Sequence, residues 1–244
     1  ALCALHPGLR VLWTAHRTRT ATNTFRSLAG FARRKKVKPS ISGIRQTNGE
    51  QEIQFANGSV IMFGAREQGF GRGFDRVDIE VFDEAQILTI KALEDMVAAT
   101  NQTTQSAGAL LFYMGTPPRP TDPGEVFRDR RNDALAGNAP DALYVECSAD
   151  PNIGRPGGPS LDDRGQWEIA NPSYPDRTPE ESMLRLRKNL RSDEAWRREG
   201  LGVWDSGTGV KALIDKGIWS RLAAVELPSD GPVGVGIKFS ADGR

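Results

Sequence analysis

Two adjacent carboxylates, Asp83 and Glu84, follow a run of β-prone residues that begins at Val77. Neighbouring side chains point to opposite faces of a strand, so the pair can act together only where the strand ends and the chain turns. At such a turn Asp83 can hold the hydration shell of a magnesium ion, while Glu84 orients and deprotonates an attacking water. The pattern predicts a site of metal-assisted hydrolysis; the simpler interpretation is a strand end with two solvated acids.

The layout is that of a Walker B strand in a P-loop domain that hydrolyses nucleotides. Its companion, the loop G-x-x-x-x-G-K-[ST], occurs nowhere in the 244 residues. Either the strand is misinterpreted or the chain is incomplete. We expect the second, because segments typical of a helix and a strand lie directly beside Ala1 and Arg244. The expectation is a fragment without a Walker A loop that does not hydrolyse ATP by itself.

Two further positions could contact phosphate. The apolar run 109–114 ends in Gly115 and Thr116. The Thr116 hydroxyl could sense a γ-phosphate if this strand lay beside the first; the alternative is a proline-rich turn. Arg72, between two glycines, could reach a phosphate as an arginine finger, a role worth roughly 10³ to 10⁵ in rate. The alternative is an ordinary surface arginine.

Two other groups of residues could bind metal or DNA. Asp242 follows the apolar run 233–239, as a metal ligand of a ribonuclease-H-like nuclease would. Two-metal cleavage needs more carboxylates, and a turn residue is the alternative. A predicted helix after residue 178 carries basic side chains away from its apolar face, and Arg197 and Arg198 follow on the next helix. These basic residues could contact DNA phosphates or form a solvated face: Arg185, Arg187, Lys188 and Arg191.

Composition limits the class of protein. The 26.7 kDa chain has a net charge of +1, which excludes a protein that binds nucleic acid through its overall basic charge. Cys3 and Cys147 are too few for a disulfide framework. His6 and His16 are isolated, so no Cys/His spacing indicates zinc. No apolar run is long enough to span a membrane, and no signal peptide is recognisable.

The elements that would position these residues alternate between strands and helices. Asn57-Gly58 between apolar runs predicts a hairpin of strands 52–55 and 59–63. Beyond Asp150 a linker is predicted, then a helix capped by Thr178 and another capped by Ser192. The whole predicts an α/β fold with a mostly parallel sheet, with strands at 10–16, 77–82, 109–114 and 142–146 and helices at 18–34, 88–99 and 126–134.

In their order and spacing, the motifs resemble those of the large terminase subunit of tailed bacteriophages, a DNA-packaging motor. Two features depart from the family's pattern: the Walker A loop is missing, and Lys238 stands near where many relatives have their first nuclease aspartate. The matching segments are Trp13-Thr14-Ala15-His16, Gly71-Arg72-Gly73, Val81-Phe82-Asp83-Glu84-Ala85, Met114-Gly115-Thr116-Pro117, Asn171-Pro172, 198–204 and 235–242.

The resemblance implies a P-loop NTPase fold of the ASCE type in three parts. An ATPase domain, incomplete at its N-terminus, would occupy 1–150, a helical linker 151–228, and the start of a ribonuclease-H-like nuclease domain 229–244. Arg72 would act on the site of a neighbouring subunit. Gly115 and Thr116 would couple hydrolysis to DNA movement.

The resemblance also implies the activity and the partners. ATP hydrolysis would drive double-stranded DNA into a procapsid, and the endonuclease would cut the concatemer. The cofactors would be ATP and Mg²⁺, with Mg²⁺ or Mn²⁺ in the nuclease. The partners would be the portal protein, the small terminase subunit and further copies in a ring, expected to be a pentamer. The location would be the host cytoplasm, without a membrane.

Two other interpretations stay open. A superfamily-2 type helicase or restriction translocase also carries Asp-Glu after its Walker B strand, but a longer motif such as Asp-Glu-x-His is then expected. Here Ala85, Gln86 and Ile87 follow Glu84, which favours the terminase. The other interpretation is a non-enzymatic prophage remnant.

Overall fold

The computed structural model describes residues 1–47, 49–70, 73–103, 105, 106 and 108–205, except for the side chain of residue 68. The described residues all lie in the first of the two units, residues 1–209, into which the chain divides. Arg72 and Asp242 therefore lie outside the described residues, as does the predicted strand before Asp242. Everything below concerns the first unit.

A six-stranded sheet forms the centre of this unit, in the order β2-β3-β4-β1-β5-β6. Strands β4, β1, β5 and β6 are parallel to one another, and β2 and β3 extend the sheet in antiparallel pairing. The mostly parallel sheet predicted from sequence is thereby confirmed. The strands are β1 (Arg10–Ala15), β2 (Ile41–Arg45), β3 (Gln51–Phe55), β4 (Val60–Ala65), β5 (Ile79–Phe82) and β6 (Leu110–Tyr113).

The predicted hairpin joins β3 to β4 through Asn57 and Gly58. Gly58 has φ of 85°, a backbone conformation that glycine adopts without strain. The Ser59 hydroxyl then accepts from Leu9 N at 3.1 Å and donates to the His6 carbonyl at 2.8 Å. These bonds fix the start of β4 beside the start of β1.

Helices cover both faces of the sheet. On one face α2 packs Phe25 and Ala29 against Phe63 of β4. On the other face α3 and α4 contribute Met96 and Val126 to a core with Leu12 and Phe82. The helices are α1 (Leu2–Leu5), α2 (Thr18–Ala32), α3 (Ile90–Val97), α4 (Glu125–Leu135), α5 (Arg164–Ala170), α6 (Glu180–Asn189) and α7 (Asp193–Glu199).

A second core lies between residues 149 and 203. Its centre is the pair Trp167 and Trp196, whose ring centroids lie 5.6 Å apart and whose planes are inclined by 74°. Both indole N–H groups donate to the carbonyl of Leu161, at 2.9 and 3.4 Å. The buried indoles thereby satisfy their polar atoms, as buried tryptophans generally do. The predicted cap of α7 is confirmed, since the Ser192 hydroxyl accepts from Ala195 N at 3.1 Å.

Two sequence predictions for this region were wrong. Segment 142–146 forms no strand and pairs with no described strand, and Leu143 and Val145 are 92% and 75% exposed. Thr178 does not cap α6: the helix starts at Glu180, with Pro179 as its N-cap residue, and no side chain caps it. Strand β2 and helix α5 were not predicted. No helix in the described part of the chain is both long and apolar enough to cross a membrane.

Candidate active site

The turn after β5 places Asp83 and Glu84 at the carboxyl edge of the sheet. Glu84 has φ of 54° and ψ of 48°, a left-handed conformation that costs a non-glycine residue about 1–2 kcal/mol. Asp83 N donates to the Thr14 carbonyl at 2.8 Å, which ties this turn to the end of β1. The chain therefore turns where the sequence argument required it to turn.

The two carboxylates have different surroundings. Asp83 is half-buried; its Oδ1 accepts from Glu84 N at 3.0 Å and its Oδ2 from Trp13 Nε1 at 3.4 Å. One oxygen of Glu84, Oε2, is buried and has no hydrogen-bond partner among the described residues. A buried acceptor without a partner calls for an explanation.

Arg66 lies directly beneath this turn and was missed in the sequence analysis. It is 8% exposed, and its guanidinium donates to four oxygens: Thr14 O (3.0 Å), Thr14 Oγ1 (3.2 Å), Asp83 O (2.7 Å) and Glu84 O (3.2 Å). Burial lowers the pKa of Arg66 to about 10, and the carboxylates of Glu84, Asp83 and Glu80 oppose that shift. Arg66 therefore stays charged at neutral pH.

Glu80 is a second charged residue below the site. It occupies the middle of β5 between Leu12 and Leu111 of the neighbouring strands and is 0% exposed. Neither of its carboxyl oxygens has a partner in the described structure. Burial raises the pKa of Glu80 to about 7, while the positive charge of Arg66 lowers it. An uncompensated buried carboxylate is costly, so the neutral acid is favoured below this pH.

The turn after β6 packs against the turn after β5. Ala85 N donates to the Met114 carbonyl at 2.8 Å, and Met114 N donates to the Phe82 carbonyl at 3.0 Å. A Cβ atom on Gly115 would lie 2.2 Å from Gln86 Oε1 and 3.2 Å from Ala85 N. A larger residue here would require the Gln86 side chain to move and the turn after β5 to shift by a few tenths of an ångström. The structure thus brings Gly115 and the exposed Thr116 to the same edge as Asp83 and Glu84.

The predicted DNA-binding residues lie elsewhere, on or just after α6. Arg185, Lys188 and Arg191 are exposed, whereas Arg187 is half-buried and forms an ion pair with Asp162. The expectation that Arg197 and Arg198 face outward was wrong, because both are buried. Arg197 donates to the carbonyls of Ile153 and Pro151, and Arg198 Nη1 donates to Asp205 Oδ2 at 3.0 Å. These two arginines stabilise the second core.

The carboxylate ligands at this site suit a metal ion that is bound partly by the protein and partly by phosphate oxygens. No group of three or more potential ligands capable of holding a metal occurs among the described residues. Magnesium is usually held by one or two carboxylates, substrate phosphates and retained waters. The accessible carboxylate of Asp83 fits that mode.

Substitution of Glu80 should change how stability depends on pH. Because the folded-state pKa is raised from 4.5 to about 7, the neutral acid's contribution to stability is present below the unfolded pKa and is lost as pH rises through about 7. Relative to Glu80→Gln, the wild-type free energy of unfolding should fall by about 3 kcal/mol between about pH 4 and about pH 8. Urea unfolding across this pH range measures it.

The matched control is Glu94→Gln, which removes one carboxylate at an exposed position of α3. A constant difference between wild type and Glu80→Gln over the whole pH range would contradict the prediction.

Comparisons with known proteins bear on the fold. No protein-family model and no curated protein matches the chain. Among solved structures, it is similar to the large terminase of bacteriophage HK97, with a TM-score of 0.64 and 13% identity over 81% of this chain and 40% of that one. It is also similar to the large terminase of a thermophilic bacteriophage, with a TM-score of 0.52 and 12% identity over 82% of this chain and 41% of that one.

The chain thus spans about two fifths of the length of these two terminases. At such low identity the likeness concerns the fold alone. The resemblance inferred from the motifs is confirmed at that level: the chain has the fold of phage large terminases of known structure.

Proposed function

We propose that this chain is part of a DNA-packaging motor subunit, in which ATP hydrolysis drives double-stranded DNA into a procapsid. The observation that carries the proposal is the left-handed turn at Glu84, which sets Asp83 and Glu84 at the sheet edge, where the next residues, Ala85 and Gln86, lie against Gly115. In the longer protein a C-terminal endonuclease would cut the concatemer. The parts would be an ATPase domain over 1–150, a linker over 151–228 and a nuclease from 229.

Each residue at the edge has a chemical task in this proposal. Glu84 orients the attacking water and accepts its proton through the carboxylate whose Oε2 is otherwise unpartnered. Asp83 would hold Mg²⁺ through its hydration shell, and such an ion would supply positive charge to the phosphates of ATP. Thr116, which is exposed and directly follows Gly115 at the same edge, would sense the γ-phosphate through its hydroxyl.

In this proposal the phosphate-binding loop belongs to a part of the longer protein outside these 244 residues. The outer edge of β6 pairs with no described strand, and Leu110 and Phe112 on it are 46% and 39% exposed. A groove of about 1190 Å³ separates this edge from segment 142–147. Exposed strand edges readily accept another strand. We therefore propose that the strand preceding a Walker A loop, in the longer protein, pairs with β6.

The partners follow from the same proposal. A ring of subunits, a pentamer, would work on the portal protein in the host cytoplasm, with the small terminase subunit as a further partner. Arg72 would complete the ATP site of the neighbouring subunit, and Asp242 would bind Mg²⁺ or Mn²⁺ in the nuclease.

In the longer protein, Glu84→Gln should abolish ATP turnover while ATP binding persists. The substitution keeps the size of the side chain and removes its ability to accept a proton, a loss of about 10²- to 10⁴-fold. Asp83→Asn should weaken binding of Mg²⁺-ATP as well. Steady-state phosphate release and nucleotide-binding titration measure the two effects.

Glu94→Gln on the exposed face of α3 is the control and should retain full turnover. The 244-residue chain without its Walker A loop should release no phosphate. Near-normal turnover by Glu84→Gln would exclude Glu84 as the base.

The role of Arg72 can be tested in mixed rings. Arg72→Ala and Glu84→Gln subunits should each be inactive alone. If Arg72 acts on the next subunit, a mixture contains interfaces at which a wild-type Arg72 faces a wild-type Glu84, and some ATP turnover should return. Titrating one variant into the other and measuring phosphate release checks this. Absence of recovery at every ratio would count against an action between subunits.

Exposed basic residues around α6 are expected to contact DNA phosphates. Each lost contact should reduce the slope of log affinity against log salt by about 0.9. Replacing Arg185, Lys188 and Arg191 by Gln should therefore flatten the slope, whereas Arg187→Gln, whose charge is shared with Asp162, should change it less. Binding of the longer protein to duplex DNA over a salt series measures the slopes. An unchanged slope for the triple variant would leave this surface a solvated face.

A further inference from the structure

We propose that Arg66 is a positioning residue that holds the Asp83–Glu84 turn in its productive conformation by tying together the ends of three neighbouring strands. The catalytic part of this inference rests on the proposed function. The structural part concerns this chain alone and can be tested in it.

The guanidinium crosses the sheet at its carboxyl edge. Arg66 directly follows β4, and the sheet order places β4, β1 and β5 side by side. From there its Nη1 donates to both oxygens of Thr14, on β1, and its Nη2 to the carbonyls of Asp83 and Glu84, just beyond β5. One side chain thus bonds to the two strands beyond its own.

The arrangement of the four acceptors suits a guanidinium. They lie at two strand ends and face a common point, which matches the planar fork of a guanidinium with its separate N–H donors. A lysine ammonium is a compact charge and cannot hold both pairs in the same geometry. The Thr14 hydroxyl in turn donates to the Val81 carbonyl at 2.9 Å, which continues the connection into β5.

The hydrogen bonds of Arg66 act on Glu84, the residue of the site whose backbone is strained. Glu84 is left-handed, and this conformation directs its carbonyl, together with that of Asp83, towards Arg66. Two charge-assisted bonds to consecutive carbonyls fix the orientation of both peptide groups. Strain of this kind persists where the surroundings hold the residue in place. The position of the Glu84 carboxylate therefore depends on Arg66.

Burial of the charge is explained by its neighbours. Arg66 is 8% exposed, and three carboxylates, on Glu80, Asp83 and Glu84, stabilise its charge electrostatically. The arrangement concentrates buried charge below a solvent-facing turn. Buried ion clusters are weak evidence for a gain in stability, whereas a geometric role explains why an arginine is needed here.

The first test measures hydrogen exchange in the 244-residue chain. Arg66→Lys should raise the exchange of the Asp83 and Ala85 amides by about tenfold, because these amides are protected only while the turn keeps its conformation. Arg197→Lys is the matched control: Arg197 is 7% exposed and also donates to two backbone carbonyls, but in the second core. It should leave these two amides unchanged.

A double-mutant cycle distinguishes a specific effect of Arg66 on the Asp83–Glu84 turn from a general effect on the stability of the sheet. Glycine adopts the left-handed conformation without strain, so Arg66→Lys should have a smaller effect on exchange in a Glu84→Gly background. Equal effects in both backgrounds, or a uniform rise across the sheet, would overturn the proposal. If Arg66→Lys does not fold, Thr14→Val, which removes one acceptor, should raise exchange at the same amides; unchanged exchange there would also overturn it.

The second test measures catalysis in the longer protein. Arg66→Lys should lower kcat about 100-fold while KM for ATP changes less than about twofold, because misplacement of the base affects the transition state and not binding. An unchanged kcat would overturn the catalytic part of the inference. If the wild-type protein hydrolyses no ATP, the proposed function fails instead, and the exchange experiment still decides the role of Arg66.

Discussion

The parallel pairing of β1, β5 and β6 is the constraint on which the rest of the site depends. Its register sets Thr14 opposite Phe82 and Phe82 opposite Tyr113, so the three strands end level with one another. The turns that follow then meet at one edge, and backbone bonds join them, from Asp83 N to Thr14 O and from Ala85 N to Met114 O. Since side chains alternate with period two, a slip of one residue would reverse every side chain of a strand.

This edge carries an energetic cost that the surrounding core has to offset. The left-handed Glu84 and the fully buried Glu80 are four residues apart, in or just after β5. The buried Arg66 contacts the end of the same strand. Each breaks a local rule of stable packing, and such violations concentrate at functional sites. Phe82, which is stacked on Tyr113 with ring centroids 5.0 Å apart, supplies apolar burial directly beside them.

The sequence allowed the site's first residues to be predicted because their signals are local. An apolar run followed by two acids marks the end of β5, and Asn57-Gly58 marks a hairpin by its turn chemistry alone. Arg66 was missed because its partners are 17, 18 and 52 residues away. The available signal was a charged residue directly after the apolar run of β4, a position where a side chain reaches the sheet edge.

The wrong predictions have the same cause as the missed Arg66. Segment 142–146 has the composition of a strand, but strands need a partner and no described strand lies beside it. Arg197 and Arg198 have the composition of a basic surface, yet both side chains are buried and find acceptors that only the tertiary structure supplies, the Pro151 carbonyl and Asp205. Local propensity is a weak guide when long-range partners decide the outcome.

The loop after β6 also joins the sheet to the second core. Arg119, four residues beyond Gly115, donates through Nε to Glu199 of α7 at 2.7 Å. Trp204 forms a second contact, with α4. The Arg131 guanidinium lies 4.7 Å from the Trp204 ring centroid, and the ring centroids of Phe127 and Trp204 are 5.6 Å apart. A displacement of the Gly115 turn is therefore not local: the same loop that contacts the Asp83–Glu84 turn is anchored on α7 of the second core.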